Sequence, residues 1–340
     1  MKKLNLCMLT LVLVLTISHT VFGLEYRIID IGTLGGSESR AFGINEHGQI
    51  VGSSETSSGE THAFVYEDNL ISDLGTLGGN TSWAYGINDH GQIVGKSANE
   101  DGRNHGFLYE DGIMYDLGTL GGNESYATAI NNAGQIVCSS KISSGLWRTA
   151  IYENGTMKNL GTLGGNHSWS GDINSSGQIA GSSDVTGGFP WHACLWENDT
   201  INDLGVLPGT SVSQGKGIND KGQIAGVSYV KNSTYLGFIY EDGVMNGIGS
   251  LGASPDYTIA FAINNNGQIV GVSETRAGHK HAFVYEDGIM TDLGTLGGNF
   301  SEARGINGNG WIVGMAETVD GEKHAVLWVP GLDRHSGCSY

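Results

Sequence analysis

The chain has 340 residues, with 17 Lys and Arg against 35 Asp and Glu, and its formal net charge is −18. The excess of acidic residues argues against nucleic-acid binding, which needs a basic surface. Glycine supplies 56 residues and proline only 4, so the composition excludes collagen and proline-rich linkers. Apolar residues make up 39% of the chain, which excludes disorder by composition.

The first 23 residues are typical of a secretory signal. Lys2 and Lys3 precede an apolar run at residues 9–17, and Gly23 marks a plausible cleavage point. The run is shorter than the roughly 20 apolar residues of a spanning helix. We therefore expect cleavage before Leu24, with retention as an uncleaved anchor as the alternative. Cleavage gives a mature charge of −20, and no later segment is long and apolar enough to span a bilayer. We expect a secreted or cell-surface protein.

One phrase, INxxGQIVG and its variants, is the main signal of the sequence. A fixed period of this kind indicates a repeat architecture. The spacing between successive copies is 43 or 45 residues. The seven copies occupy residues 43–52, 86–95, 129–138, 172–181, 217–226, 262–271 and 305–314.

Each repeat predicts four short strands. The phrase contains a tight N-x-x-G turn between the first two strands, a β-branched and aromatic run such as HAFVYE forms the third, and Asp-Gly turns the chain into the fourth. Four antiparallel strands in about 43 residues, seven times over, predict a seven-bladed β-propeller.

The two ends of the chain bear on how the repeats close. Residues 26–32 match a fourth strand, and residues 324–328 match a third strand. The N-terminal strand should therefore complete the last blade and close the ring, which hides sheet edges. A linear β-solenoid is the alternative. We expect one domain at residues 24–330, a C-terminal tail at 331–340, and a monomer.

The repeated motifs resemble those of the HAF-repeat family of exported repeat proteins. The tripeptide His-Ala-Phe is intact at residues 62–64 and 281–283 and partial at 105–107, 192–194 and 324–326. The combination with DLGTLGG and INxxGQIVG covers nearly all of the chain after residue 23. The resemblance implies export and repetition, and it implies no particular activity.

No motif in the sequence indicates a cofactor, a metal site or a catalytic residue. A ring of repeats would hold its His residues too far apart to share one ion at about 2 Å, so we expect each His to bond a neighbouring loop. Most of the Asn-rich turns hold one acid or none, whereas calcium needs 6–8 oxygen ligands. LGTLGG lacks the Lys-Ser/Thr ending of a phosphate loop, and no helix follows it. The repeated His residues are His62, His105, His192, His281 and His324.

Two cysteines depart from the repeat in neighbouring units. Cys138 replaces the Gly that ends QIVG, and Cys194 replaces the third residue of HAF. If Phe normally packs over that Gly, the paired change predicts a disulfide between Cys138 and Cys194. Two buried free thiols are the alternative.

Positions that vary between repeats are free to carry specificity. Four residues before the Ile of INxxG, units 2 to 4 carry Trp83, Tyr126 and Trp169, and two residues before it unit 2 carries Tyr85. The first strand of a blade is innermost, so these residues should rim one channel mouth, beside the Asn of GGNxS and the loops between the second and third strands. The Asn candidates are Asn80, Asn123 and Asn166. Aromatic rings beside amide and hydroxyl donors suit a carbohydrate or a peptide; packing between blades is the alternative.

The sequence therefore predicts a non-catalytic recognition or scaffold module that acts outside the cell. A propeller enzyme acting on extracellular glycans, as a hydrolase or lyase, is an alternative; it would need acids that meet at the rim, for which Asp172, Asp256 and Glu302 are the candidates. A purely structural envelope protein is the third hypothesis.

Overall fold

The computed structural model describes residues 25–230, 234–252 and 257–331. Every regular element in these ranges is a β-strand, so the predicted all-β class is confirmed. The export signal, Cys7, Asp256, Cys338 and residues 332–340 of the predicted tail lie outside the described residues. The described part of the chain contains no helix that could cross a membrane.

The strands follow the repeats in chain order. Strand β1 spans Tyr26–Gly32. Repeats 1 and 2 contain β2 (Gly35–Ile44), β3 (Ile50–Thr56), β4 (Thr61–Glu67), β5 (Leu70–Asp73), β6 (Gly78–Ile87), β7 (Ile93–Asn99), β8 (Asn104–Glu110) and β9 (Ile113–Asp116). Repeats 3 and 4 contain β10 (Gly121–Ile130), β11 (Ile136–Ile142), β12 (Trp147–Glu153), β13 (Thr156–Asn159), β14 (Gly164–Ile173), β15 (Ile179–Val185), β16 (Trp191–Glu197) and β17 (Thr200–Gly205). Repeats 5 to 7 contain β18 (Val212–Ile218), β19 (Ile224–Tyr229), β20 (Tyr235–Glu241), β21 (Val244–Gly247), β22 (Thr258–Ile263), β23 (Ile269–Glu274), β24 (Lys280–Glu286), β25 (Ile289–Asp292), β26 (Gly297–Ile306), β27 (Ile312–Thr318) and β28 (Lys323–Pro330).

These strands form five sheets, three with four strands and two with eight. The four-stranded sheets are the antiparallel meanders β10–β13, β14–β17 and β18–β21. Each eight-stranded sheet consists of two antiparallel groups of four that one parallel pair joins, Thr61 with Thr81 in one sheet and Lys280 with Phe300 in the other. Three of the expected four-stranded units are therefore separate sheets, and the remaining strands are joined in pairs of units.

The two ends of the described chain meet in one sheet. Strand β1 pairs antiparallel with β28, from Tyr26 opposite Pro330 to Gly32 opposite Ala325. His324 on β28 also contacts the carboxylate of Asp30 on β1 at 2.8 Å. The N-terminal strand thus completes the sheet of the last repeat, as its sequence predicts.

A closed series of hydrogen bonds links the turns of all seven repeats. Each phrase Asn donates from its side-chain Nδ2 to the main-chain carbonyl of the next phrase Asn, at 3.0–3.2 Å, and Asn307 donates to Asn45. The Oδ1 of each Asn accepts from two amides of its own turn, as Asn131 does from Ala133 and Gln135. These asparagines are buried. The repeated INxxGQ motif therefore supplies the hydrogen bonds that link each turn to the next and the last turn to the first. The series runs through Asn45, Asn88, Asn131, Asn174, Asn219, Asn264 and Asn307.

The core packs a phenylalanine of the third strand over the glycine that ends QIVG. Phe64 is fully buried, and a Cβ on its cross-strand partner Gly52 would lie 2.7 Å from its ring. Such close packing has no room for a side chain on the glycine. Phe107 packs over Gly95 in the same way in repeat 2, where a Cβ on Gly95 would lie 2.8 Å from the Phe107 ring.

The predicted disulfide is wrong, although its premise about Phe and Gly is right. Cys138 and Cys194 are both free and buried. The cross-strand partner of Cys138 is Ala150, so repeat 3 exchanges the large and small residues within one sheet. Val137 and Cys138 are successive residues of β11 and face opposite sides of it. Cys194 packs in the same cluster as Val137, whereas Cys138 lies in the cluster on the other side.

Repeat 4 compensates for its missing Phe with a tryptophan. Cys194 leaves space over Gly181, and the ring of Trp196, two residues later, lies 2.8 Å from the place of a Cβ on Gly181. The Trp196 indole N–H donates to the Leu160 carbonyl at 3.1 Å. Repeat 7 has a similar exchange, with Val326 at the Phe position and a fully buried Trp328 two residues later. Burial raises the pKa of the Cys138 thiol to about 12, so it stays protonated.

Candidate functional site

The variable aromatic residues lie partway along the first strands, where Trp83 pairs with Lys96 of β7. Gly78 at the start of β6 pairs with Asn99 at the end of β7, so the first strand starts beside the loop between the second and third strands, as predicted. Trp83, Tyr126 and Trp169 are all half-buried. Each contacts a charged or aromatic side chain on a neighbouring strand. The following residues are called the aromatic belt: Trp83, Tyr126, Trp147, Trp169 and Trp191.

Lys96 and Trp147 join the first part of the belt. The Lys96 ammonium lies 4.2 Å from the ring centre of Trp83 and 5.1 Å from that of Tyr126 in the next repeat. Tyr126 lies 5.0 Å from Trp147, measured between ring centres. Burial among these groups lowers the pKa of Lys96, an effect that the nearby Glu124 partly offsets. The cation between two rings connects repeats 2 and 3.

His167 joins the second part of the belt to the first. The amide of Trp147 donates to Nδ1 of His167 at 3.2 Å. His167 stacks on Trp169 with 5.3 Å between ring centres, and Trp169 lies 4.8 Å from Trp191. The belt is therefore continuous across repeats 2, 3 and 4. Sequence reasoning missed Trp147 and Trp191, whose shared place at the start of the third strand was the available signal.

A polar cleft of about 540 Å³ lies at the end of the belt that Trp83 occupies. Ser37 donates from its amide and its hydroxyl to the Glu55 carboxylate, at 2.9 and 2.8 Å, and these bonds lower the pKa of Glu55. Arg40 pairs with Glu38 at 3.2 Å in the same cleft. Phe42 and Trp83 also line the cleft, and aromatic rings beside hydroxyl, carboxylate and guanidinium groups suit a polar ligand.

The structure brings only some of the predicted site residues together. Asn80, Asn123 and Asn166 are exposed near the starts of their first strands. Tyr85 is not at this mouth. It lies in the central cavity, where its ring contacts Phe42 edge-on at 5.4 Å between centres. Tyr85 follows Trp83 by two residues on β6, and this step along the strand places its side chain in the cavity instead of the cleft.

All seven repeats line a central cavity, which we call the axial cavity. Its upper part, about 220 Å³, contains the residues two before each phrase Ile, including Lys216 and Arg304. Its lower part, about 230 Å³, reaches the asparagine turns and the acidic side chains of Glu46, Asp89 and Asp220. Isoleucines of the repeated motif line both parts of the cavity.

Of the three candidate acids of an enzyme, the structure describes Asp172 and Glu302, and each is engaged by other groups. The two oxygens of Asp172 accept from the amides of Ile173 and Ile218, at 2.8 and 3.2 Å, and tie repeat 4 to repeat 5. Burial raises the pKa of Asp172 to about 6. Glu302 instead pairs with Arg304. Within residues 25–230, 234–252 and 257–331, no three His, Cys, Asp or Glu residues are grouped as metal ligands.

Each repeated histidine contacts an aspartate of the fourth strand, or of β1 for His324, and not the neighbouring loop that we expected. His281 contacts the Asp292 carboxylate through Nδ1 at 2.8 Å, and Asp292 also accepts from the Gly294 amide. The partner Asp was missed, although it follows its His by eleven residues in four repeats. The pairs are His62–Asp73, His105–Asp116, His192–Asp203, His281–Asp292 and His324–Asp30. Repeat 5 lacks both members, with Leu236 and Gly247 in their places.

Solved structures identify the fold. The chain is similar to the β-propeller domain of the Trilobed protease from Pyrococcus furiosus, which has an open velcro topology (TM-score 0.57, 12% identity, 86% of this chain and 95% of that one). It is also similar to a puromycin-hydrolyzing peptidase from Mycobacterium tuberculosis (TM-score 0.55, 13% identity, 92% and 55%). A third similar structure is the Pyrococcus horikoshii acylaminoacyl peptidase (TM-score 0.54, 14% identity, 90% of this chain and 53% of that one). The chain spans about half the length of the two peptidases. The chain is a β-propeller, and similarity at this identity extends to the fold alone.

No family model matches the chain, and no curated protein matches it either.

Proposed function

We propose that the chain is an exported seven-bladed β-propeller of the HAF-repeat kind that recognises a neutral or cationic glycan through its aromatic belt. The seven blades are supported by the closed series of seven asparagine hydrogen bonds and by the pairing of β1 with β28. Export is supported by the basic and apolar pattern of residues 1–23. The assignment to the HAF-repeat family is supported by the HAF and DLGTLGG motifs of the repeats.

The continuity of the belt is the observation that carries the proposed recognition. Trp83, Tyr126 and Trp169 are joined through Lys96, Trp147 and His167 and keep part of their surfaces in solvent. Sugar rings stack on such surfaces, and adjacent hydroxyl and carboxylate groups fix their orientation. The acidic net charge of the protein disfavours anionic glycans.

A glycan array probed with residues 24–340 tests this function. Wild type is compared with the Trp83→Ala/Trp169→Ala variant and with Tyr115→Ala, which removes an aromatic ring that is 44% exposed on the outer strand β9. We expect the double variant to remain folded and to lose binding by at least about tenfold, since stacking contributes about 0.5–1.5 kcal/mol per aromatic pair beyond its buried area. Tyr115→Ala should bind as wild type does.

The array also separates the alternatives. Equal binding by wild type and the folded double variant would contradict the belt as the site. Binding only on a parallel peptide array would replace the glycan by a peptide. No binding by well-folded wild type on either array would favour a structural envelope role, with the belt acting as packing between blades. Product formation from a bound glycan would favour the enzyme hypothesis.

A further inference from the structure

Lys216 is a half-buried cation with no partner in the axial cavity. Its side chain lines the upper part of the cavity, and no hydrogen bond or ion pair to it occurs among the described residues. The carboxylate of Asp172 lines the same cavity, but its oxygens are engaged by two main-chain amides. A charge removed from water is costly unless it is paired. The cavity therefore holds a positive charge that a ligand can balance.

Arg304 and Tyr85 add donors to the same space. Arg304 bonds Glu302 through Nε, and in the described part of the chain its terminal nitrogens have no hydrogen-bond partner. The Tyr85 hydroxyl likewise has no hydrogen-bond partner within the described ranges. Arg304 is close enough to influence both groups: its charge adds to burial in lowering the pKa of Lys216 to about 8, and it opposes the rise that burial causes in the pKa of Tyr85.

The upper cavity also has an apolar wall, and Thr128 and Asp172 are the other polar residues that line it. Phe42 lies beside Tyr85, and the Arg304 guanidinium carbon sits 3.9 Å from the ring centre of Phe261. Isoleucines of the repeated phrase form the boundary with the lower part. Three hydrogen-bond donors, two of them cationic, thus share a cavity of about 220 Å³ with the rings of Phe42 and Phe261.

We propose that the upper axial cavity binds a small carboxylate anion, whose oxygens are held by Lys216, Arg304 and Tyr85 and whose apolar body lies against Phe42 and Phe261. A monovalent anion fits better than a phosphate, because the lower part of the axial cavity carries acidic groups that repel multiply charged anions. No residue of the aromatic belt lines this cavity, although Phe42 also lines the cleft beside Trp83, and the proposal does not depend on glycan recognition.

Calorimetric titration with benzoate tests the site, with benzyl alcohol as the neutral probe of similar shape. We expect wild type at pH 6.5 to bind one benzoate per chain and to bind benzyl alcohol at least tenfold more weakly. Lys216→Met should weaken benzoate binding at least tenfold. Lys158→Met, at a lysine whose side chain is 60% exposed, is the matched control and should leave binding unchanged.

The pH dependence and the stability of the variant give independent readouts. Benzoate affinity of wild type should fall as the pH rises from 6.5 to 9.5, because Lys216 then loses its proton. Lys216→Met without ligand should unfold at a temperature no lower than wild type, because it removes an unpaired charge. Equal benzoate binding by Lys216→Met, no binding by wild type, or a Lys216→Met protein that fails to fold would each overturn the proposal. Benzoate binding by Trp83→Ala/Trp169→Ala should match wild type, so this site and the glycan site can fail separately.

Discussion

Asn131→Asp should lower the free energy of unfolding by about 3–5 kcal/mol at pH 8. Oδ1 of Asn131 accepts from two turn amides, and Nδ2 donates to Gln135 and to the Asn174 carbonyl. An aspartate has nearly the same shape, but it replaces this donor with a second buried, negatively charged oxygen. That oxygen would face the Asn174 carbonyl without a proton between them, which is costly in a buried position. Urea unfolding of both proteins measures the difference.

Acidification should partly reverse the effect of Asn131→Asp. Burial beside a carbonyl raises the pKa of the new carboxyl in the folded state above the unfolded value of about 3.9. The folded protein then binds more protons in the interval between the two values, so its stability falls as the pH rises through that interval. The deficit relative to wild type should therefore shrink as the pH falls from 8 to 4. Asn309→Asp, at an exposed turn position, is the control and should change stability by less than about 0.5 kcal/mol. A stable Asn131→Asp at pH 8 would contradict the role given to the asparagine series.

Trp328→Ala should cost about 3–5 kcal/mol of unfolding free energy. The Trp328 side chain is fully buried in the sheet that joins the two chain ends, and its indole N–H donates to the Leu293 carbonyl at 2.9 Å. It packs with Tyr26 and Ile28 of β1, so its removal leaves a cavity beside the closing strand. The lost donor also leaves the Leu293 carbonyl without that partner.

Thermal and urea unfolding of Trp328→Ala measure this cost. Tyr115→Ala is the control for removal of an exposed ring and should fall within about 0.5 kcal/mol of wild type. Hydrogen exchange should become fastest in β1 and β28, since those strands share the damaged core. A loss below about 1 kcal/mol would show that the closing sheet does not depend on this side chain.

The repeat period and the turn residues were sufficient to predict the β class, the order of strands and the pairing of the chain ends. These features depend on local chemistry that recurs along the chain, such as the N-x-x-G turn of every unit and the Asp-Gly hairpin of three units. The parallel contacts Thr61–Thr81 and Lys280–Phe300 depend on how neighbouring units approach each other. Nothing within one repeat specifies that approach, so the joining of units into eight-stranded sheets was not predicted.

The two wrong or incomplete predictions have a common cause. The exchange at Cys138 was matched with a residue in the next repeat, whereas the space it fills is made by Ala150 on the adjacent strand. Likewise, Tyr85 was grouped with Trp83 because both positions vary, although one faces the axial cavity and the other faces the cleft. Variation between repeats identifies positions without a common structural role, and cross-strand register decides what each side chain contacts.

Closure of the ring is the claim on which the mouth, the cavity and the asparagine series all depend, and an engineered disulfide tests it most directly. Arg27 on β1 faces Val329 on β28; the Arg27 side chain is exposed, and Val329 is half-buried at the edge of a core cluster. Directly paired residues of antiparallel strands lie within the Cα separation of a disulfide. Arg27→Cys/Val329→Cys is made in residues 24–340 with Cys338→Ser, and Arg27→Cys/Val319→Cys is the control pair.

We predict that Arg27→Cys/Val329→Cys forms an intramolecular disulfide in nearly every chain. Mass spectrometry should give the 27–329 linkage, and the oxidised protein should unfold at a higher temperature than the reduced one. The control pair should keep its thiols free. A solenoid would place the two ends apart, so free thiols or only intermolecular disulfides in Arg27→Cys/Val329→Cys would contradict the closed propeller.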